Sequence, residues 1–465
     1  NIGYLINNKS FYLCSHRFFL YFCKDRIKKG QMSKYKYSLY GYHAIEKADI
    51  TINGITVLSG ENGCGKSTLS RWLYYIINES NKFDESLYEE FSNQLRGNLH
   101  KLFRASREIS QSDEFTSYHE VIDQINDQVD IDTLKERYIS LVKQFELRLI
   151  SFLSAEMMKS RKKRIFSYLK ISYNDDKILL EKNIAEFFSL LIADFDQKYE
   201  ELYLNKEKRS LDQLYRFIKR NYLEEDKAPS KIQLSEDGVK LLEKGKFDAP
   251  LMIHRAIYID TPMALSDKAK TLSTHWTDLY EMMISPRGEM PQSGKKVLLR
   301  IRRLINGQII VEDDTFGFNK ELHFHREDGL NIPLEKAATG LKAFAYLQRL
   351  LENGYLNEET LLLIDEPEAH LHPQWIVEFA RLLVLLHKEL GLKIMIASHN
   401  PDMVAAIQSI AHKEDIIENT CFYQATRSEN SLQYTYQNLG SDIKEIFESF
   451  NIAISRIQDY GSNNL

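Results

Sequence analysis

The chain has 465 residues, 43% of them apolar and 27% charged, which is folded, core-forming sequence of about three domains' length. Its formal charge of −5 excludes the basic excess that binds nucleic acid regardless of sequence, so any DNA or RNA contact must be a local patch. Cys14, Cys23, Cys64 and Cys421 form no CxxC pair and no Cys/His cluster at zinc spacing, and no apolar run is long enough to span a bilayer. A disulfide framework, a structural zinc and a membrane helix are therefore not expected, and the cytoplasm is the natural compartment.

Residue 1 is Asn and the first Met is Met32, preceded by Ile27-Lys28-Lys29-Gly30-Gln31, whose codons can spell a ribosome-binding site. Residues 1–31 are expected to be a non-native leader; without them the charge becomes −10. Phe11 to Cys23 is aromatic but broken by Ser15, His16 and Arg17, a poor signal peptide. Strand-like runs follow at Tyr35–Tyr42 and Ile50–Leu58, the second broken by a turn at Asn53-Gly54, and Ile55–Leu58 feeds a glycine-rich loop. From Arg71 to about Glu225 the chain is nearly proline-free and charged, with apolar residues at helical spacing, as in Leu134, Tyr138, Leu141, Phe145, Leu149 and Phe152. Helices packed on each other are expected there rather than a long coiled-coil arm, because few heptads run uninterrupted.

Proline and glycine return near Pro229. Ala256–Ile259 reads as a buried strand, Lys296–Leu304 as a helix, and Ile309–Glu312 and Leu322–His325 as strands. Leu361–Ile364 and Ile394–Ala397 are apolar runs of parallel-strand character, separated by a helix from about Pro373 to Glu389. A hairpin over Phe422–Tyr436 and a helix over Asp442–Ile457 close the chain. The expected divisions are 1–31, 32–75, a helical insertion at 76–228, and 229–465.

Gly60-Glu61-Asn62-Gly63-Cys64-Gly65-Lys66-Ser67 fits GxxxxGK[ST] between an apolar strand and a helix. In such a loop backbone N–H groups face phosphate oxygens, Lys66 neutralises the β- and γ-phosphates, Ser67 reaches Mg²⁺, and Thr68 opens the helix. Leu361–Ile364 delivers Asp365 and Glu366 to a strand's C-terminal end, where Asp365 suits Mg²⁺ and Glu366 suits polarising an attacking water. Ile394–Ala397 presents Ser398 and His399, the natural sensor of a γ-phosphate. Lys66, Glu366 and His399 are thus the catalytic candidates.

The phosphate loop, DEPEAHLHP, SHNP and ATGLK together resemble the ABC-type ATPases of the branch that includes overcoming-lysogenization-defect proteins, RecF and the Septu anti-phage ATPase subunit. The resemblance covers about residues 35–75 and 255–440. It implies an α/β, ABC-type P-loop ATPase head, a mixed sheet with flanking helices, interrupted by a large helical insertion. It also implies ATP with Mg²⁺ as ligands, and a homodimer in which each signature loop caps the nucleotide held by the other head. Carried over, Ala338-Thr339-Gly340-Leu341-Lys342 is the signature, contributing Ala338, Thr339, Gly340 and Lys342 to the nucleotide site; Glu368–His372 is the loop that crosses the dimer interface, and His399 the switch histidine. Ala338 departs from the serine of the pattern. A carboxylate in place of Gly340 is expected to block closure while leaving folding intact. The glutamine-loop position falls on Asp260 or Thr261, and Tyr40 or Tyr42 is a candidate for stacking on adenine.

The Septu-like branch implies an HNH nuclease as partner and, in a retron setting, reverse transcriptase and its DNA product, with no membrane. The 66 residues beyond His399 in the 465-residue chain are too short for a Toprim nuclease domain, and a transporter ATPase would carry its signature much nearer the phosphate loop. The alternative is a RecF-like or SMC-like DNA-binding repair ATPase. Two basic runs bear on it, Lys159, Arg161, Lys162, Lys163 and Arg164, and Lys295, Lys296, Arg300, Arg302 and Arg303.

Overall fold

The computed structural model describes residues 33–109, 123, 131–154, 159–224, 226–260, 274–313, 320–429 and 431–448. The leader, Thr261 and the end of the C-terminal helix expected above lie outside the described residues. The chain forms two compact units, one of the residues up to Asn81 with those from Leu211 onward, the other Lys82–Ser210.

In chain order the elements are β1 (Tyr35–Tyr42), β2 (Ile45–Ile52), β3 (Ile55–Ser59), α1 (Lys66–Ile109), α2 (Ile131–Ser154), α3 (Lys159–Leu169), α4 (Lys177–Lys208), α5 (Leu211–Asn221) and β4 (Ile232–Glu236). There follow β5 (Val239–Lys240), β6 (Leu242–Glu243), β7 (Lys246–Phe247), β8 (Arg255–Ile259), α6 (Thr274–Ile284), α7 (Lys295–Ile305), β9 (Gly307–Asp313), β10 (Lys320–Arg326) and β11 (Asn331–Pro333). The last are α8 (Thr339–Glu352), β12 (Thr360–Asp365), α9 (Pro373–Leu390), β13 (Lys393–Ser398), α10 (Pro401–Lys413), β14 (Thr420–Arg427) and β15 (Tyr434–Gly440).

The main sheet has ten strands in the order β5-β4-β1-β2-β15-β14-β3-β13-β12-β8. The block β14-β3-β13-β12-β8 is parallel throughout, whereas β5, β4, β1 and β2 pair antiparallel. A strand covered on both faces must be apolar at every position, and Leu361, Leu362, Leu363, Ile394, Met395 and Ile396 are all 0% exposed. Burying each is worth about 1.5–3 kcal/mol. Leu362, Ile394 and Ile396 share one core with α8, α9 and α10, which contribute residues such as Phe344, Leu347, Phe379, Leu383 and Ile407. Gln348 joins α8 to the small sheet β11-β10-β9 as a backbone would: its Nε2 donates to Ile309 O (3.1 Å) and its Oε1 accepts from Ile309 N (3.1 Å).

The second unit is helical. Tyr138 and Phe145 of α2 stack and tilt against Phe195 and Phe188 of α4, with ring centroids 4.6 and 5.9 Å apart. Leu134, Tyr138, Phe145 and Leu149 of the expected stripe are buried; Leu141 and Phe152 are half-buried. The helical unit is narrower than the 76–228 expected from sequence. α5 belongs to the other unit because it buries Leu214, Phe217 and Ile218 there and sets Tyr215 edge-on to Trp72 at 6.2 Å.

Candidate functional site

Parallel register fixes where the chemistry-bearing residues gather. β3 ends at Ser59 opposite Ser398 of β13, and Ala397 lies opposite Asp365 of β12. Gly60, Glu366 and His399, each the next residue of its strand, therefore emerge side by side at the C-terminal end of the sheet, where open α/β sheets place ligands.

The phosphate loop needs its glycines. A Cβ on Gly65 would lie 2.6 Å from Ile45 Cγ1, and its φ of +96° favours glycine; a Cβ on Gly60 would meet Ala425 Cβ at 2.7 Å. Gly63, at φ +82°, has open space around it, and Glu61 and Asn62 are exposed. Cys64 turns inward: it is fully buried, its Sγ is 3.7 Å from Tyr436 OH, and Tyr436 OH donates to Cys64 O (3.2 Å). What Cys64 can offer a phosphate is its backbone. Lys66 is 6% exposed and folds over the loop, donating to Gly60 O (2.8 Å) and Glu61 O (3.0 Å). The first turn of α1 adds unpaired backbone N–H groups and the positive end of the helix dipole. A concave rim of N–H donors around one buried ammonium is a fit for polyphosphate.

Asp365 is 1% exposed, with Oδ1 accepting from Ser70 Oγ (2.8 Å) and Oδ2 from Tyr258 OH (2.9 Å); the Ser67 hydroxyl lies close enough to help hold its pKa down. Burial pushes its pKa up to about 6, against the pull of these three hydroxyls, and the neighbouring Asp260 raises it further. An adjacent hydroxyl and carboxylate form the donor set a Mg²⁺ ion takes beside phosphate, so Ser67 and Asp365 fit that ion. Sequence reasoning missed Ser70 and Tyr258, since only the pairing of β8 with β12 brings Tyr258 to this carboxylate.

Glu366 holds φ +48°, uncommon for a side-chain-bearing residue, and its N–H donates to Ala397 O (2.8 Å). His399 Nδ1 lies 3.5 Å from Glu366 Oε1 and 3.6 Å from Glu368 Oε1. Glu368 is 5% exposed; its Oε1 accepts from Ser398 Oγ (2.7 Å) and His399 N (3.1 Å), burial raises its pKa, and its Oε2 is buried without a hydrogen-bond partner among the described residues. Glu368–His372 is the segment expected from sequence to cross the dimer interface. Glu368 and Leu371 face inward, and only His370 and His372 are exposed.

The signature forms the start of α8, with Ala338 exposed at the N-cap position and no side chain capping the helix. Thr339 and Gly340 are half-buried, and a Cβ on Gly340 would lie 3.1 Å from Leu371 Cδ2 and 3.3 Å from His370 O. The expectation that a carboxylate at Gly340 leaves folding untouched is therefore corrected: it would press on the neighbouring loop. Lys342, the fourth signature candidate, is 7% exposed and donates to Glu335 O (2.8 Å), turned to the protein's own carbonyl. Ala338→Ser should stabilise the chain by about 0.5–2 kcal/mol, because a serine hydroxyl accepts from the free N–H groups of the first turn. Thermal unfolding with and without ATP checks this, and an unchanged or lowered midpoint would mean that the N-cap is already satisfied.

Thr68 lines a small cleft with Tyr42, His43, Arg71, Trp72, Glu224 and Asp226, and Tyr42 stands edge-on to Trp72 at 5.9 Å. Tyr40 instead bonds Asp49 through its hydroxyl. Of the two tyrosines, only Tyr42 borders the cleft. Asp260 follows β8 directly and raises the pKa of Asp365.

Residues 55–405 match the protein family described as "AAA domain, putative AbiEii toxin, Type IV TA system". The chain belongs to that family. Membership in this AAA-domain family, with the loop, acid pair and histidine at one sheet end, makes it a P-loop ATPase of ABC type. It is 39% identical over 72 residues to the energy-coupling factor transporter ATP-binding protein EcfA2 of Clostridium perfringens (strain SM101) and, over the same length, to EcfA3 of Clostridium perfringens (strain ATCC 13124). Those stretches are 15% of this chain and 25% of each relative, so it spans about a quarter of their length. The Smc head domain of Pyrococcus furiosus, solved with an extended coiled coil bound to the C-terminal domain of ScpA, aligns over 92% of this chain and 100% of its own, at 12% identity and a TM-score of 0.31. The Smc head domain of Thermotoga maritima aligns over 45% and 65%, at 12% identity and a TM-score of 0.26. Scores this low carry no structural argument. Among the described residues no helix is long and apolar enough to cross a membrane.

Proposed function

We propose that the chain binds and hydrolyses ATP between two copies of itself, and that the resulting closure regulates a partner nuclease in bacterial anti-phage defence. The observation that carries the ATP reading is the convergence of Lys66, Asp365, Glu366 and His399 at one end of the sheet, with Asp365 buried against Ser67 and Ser70. The loop N–H groups and Lys66 hold the phosphates. Ser67 and Asp365 would hold Mg²⁺, which when bound screens phosphate charge. Glu366 accepts the proton of the attacking water, and His399, between Glu366 and Glu368, meets the γ-phosphate. Ala338, Thr339 and Gly340 present an uncapped helix N-terminus, which suits the γ-phosphate held by the other copy.

The nuclease reading rests on the sequence resemblance to the Septu-like branch, with an HNH subunit as partner and, in a retron setting, reverse transcriptase and its nucleic-acid product. The repair reading gains little from the basic run of α3. Lys159 pairs with Asp175 (2.6 Å) and Lys162 Nζ donates to Leu153 O (3.0 Å). The deciding experiment is to read the gene neighbourhood and co-express the adjacent frame. An HNH protein that co-purifies, and whose nuclease activity changes with ATP, supports the proposal; replication or repair genes beside it and no such complex overturn it.

A further inference from the structure

A groove between α7 and α9 takes no part in the nucleotide site. α7 reads KKVLLRIRRLI, and Val297, Leu298, Ile301 and Ile305 bury its inner face. Leu299 breaks the polar outer face: it is 54% exposed, in a helix that also exposes Lys295, Lys296 and Arg303. The groove is lined by Lys296, Leu299, Arg303 and Leu304 of α7 and by Leu385 and Glu389 of α9. Two of the helix's five cations are neutralised, Arg300 by Glu378 (2.6 Å) and Arg302 by Glu352 (2.9 Å). Lys295, Lys296 and Arg303 have no counter-ion among the described residues, and only Glu389 opposes them at the rim.

We propose that this groove receives an acidic amphipathic helix of a partner protein. One exposed leucine is ordinary on a protein surface. The conjunction of Leu299 with the apolar floor of Leu304 and Leu385, with Lys296 and Arg303 at the rim and Lys295 exposed on the same helix, is what specifies the occupant. Apolar side chains at i and i+3 or i+4 of the incoming helix cover the leucines, while carboxylates on its flanks meet Lys296, Lys295 and Arg303. Nucleic acid fits less well. A phosphate backbone gains nothing from a leucine floor, and the arginines fixed by Glu378 and Glu352 are already spent on ion pairs. The inference stands whether or not the partner is a nuclease.

The test immobilises the full chain and selects a display library of helix-forming peptides of about 16 residues, counter-selected on the double variant Leu299→Asp/Arg303→Glu. Neither substitution touches the nucleotide site, so the variant's basal ATPase rate serves as its folding control. Enriched peptides should pair apolar residues at helical spacing with Asp or Glu, bind the parent at least about tenfold tighter than the variant, and weaken as salt rises. Basic or uncharged winners, winners that bind both proteins equally, or no enrichment at all overturn the proposal. So does a duplex of about 20 base pairs whose binding to the parent is lost in Lys296→Glu/Arg303→Glu, because that assigns the patch to DNA.

Discussion

Lys66→Ala should lower affinity for ATP by about thirtyfold to several thousandfold, a loss of about 2–5 kcal/mol. Lys66 is 6% exposed and sits inside the loop, with its ammonium on Gly60 O and Glu61 O. Truncation takes away the buried ammonium beside the phosphate position and leaves those carbonyls facing the ligand's negative charge. The loop itself should keep its path, because Gly60 and Gly65 pack against Ala425 and Ile45, and Leu69 N still donates to Gly65 O (3.1 Å). A nucleotide titration, read beside an unfolding curve of the same variant, separates lost binding from lost fold. Undiminished affinity in a folded variant would remove Lys66 from the site.

Glu366→Gln should retain ATP and slow its hydrolysis by about 10²–10⁴-fold, since an amide of the same shape cannot take the water's proton. The strand end holds this residue at φ +48° and its side chain against His399, so the substitution changes basicity with little change of position. Single-turnover hydrolysis with ATP pre-bound is the measurement. A variant that turns ATP over at the parent rate would place the base elsewhere.

Much of this site could be read in the sequence, because its elements announce themselves locally. β3, β12 and β13 are short, fully buried and mostly apolar runs, and each leads directly into residues that carry chemistry. Their side-by-side order was legible only through the resemblance. The antiparallel edge of the sheet was not foreseen: β4 and β5 are five and two residues long, and their pairing follows from β1 and from each other across the sequence, not from any local run. β2, too, starts earlier than expected, at Ile45, after a turn at His43 with φ +51°. Tyr258 and Ser70 reach Asp365 from elements separated by long stretches of chain, so no spacing rule could name them. Glu368 lies in a loop that reads as exposed and polar; its inward turn is set by Ser398 and the His399 N–H at the tip of a neighbouring strand. α5 is helical in pattern like the insertion before it, yet its Tyr215 stands edge-on to Trp72, and Tyr222 just after it lies against Tyr75, contacts that no local pattern announces.

The central claim is that two copies complete each other's sites, and mixing two inactive variants tests it most directly. Lys66→Ala disables the phosphate loop. Ala338→Asp disables the signature: Ala338 is exposed at the N-cap of α8, where aspartate is a favourable cap, so folding is preserved while the carboxylate occupies the free N–H groups and repels a γ-phosphate. Each variant alone should be nearly inactive. In a mixed dimer the loop of the Ala338→Asp copy meets the signature of the Lys66→Ala copy, which restores one intact site. An equimolar mixture should therefore recover up to about a quarter of the parent rate and show ATP-dependent dimers by light scattering. Full activity of Ala338→Asp alone, at concentrations where light scattering finds only monomer, would show that each chain closes its own site and would contradict the account.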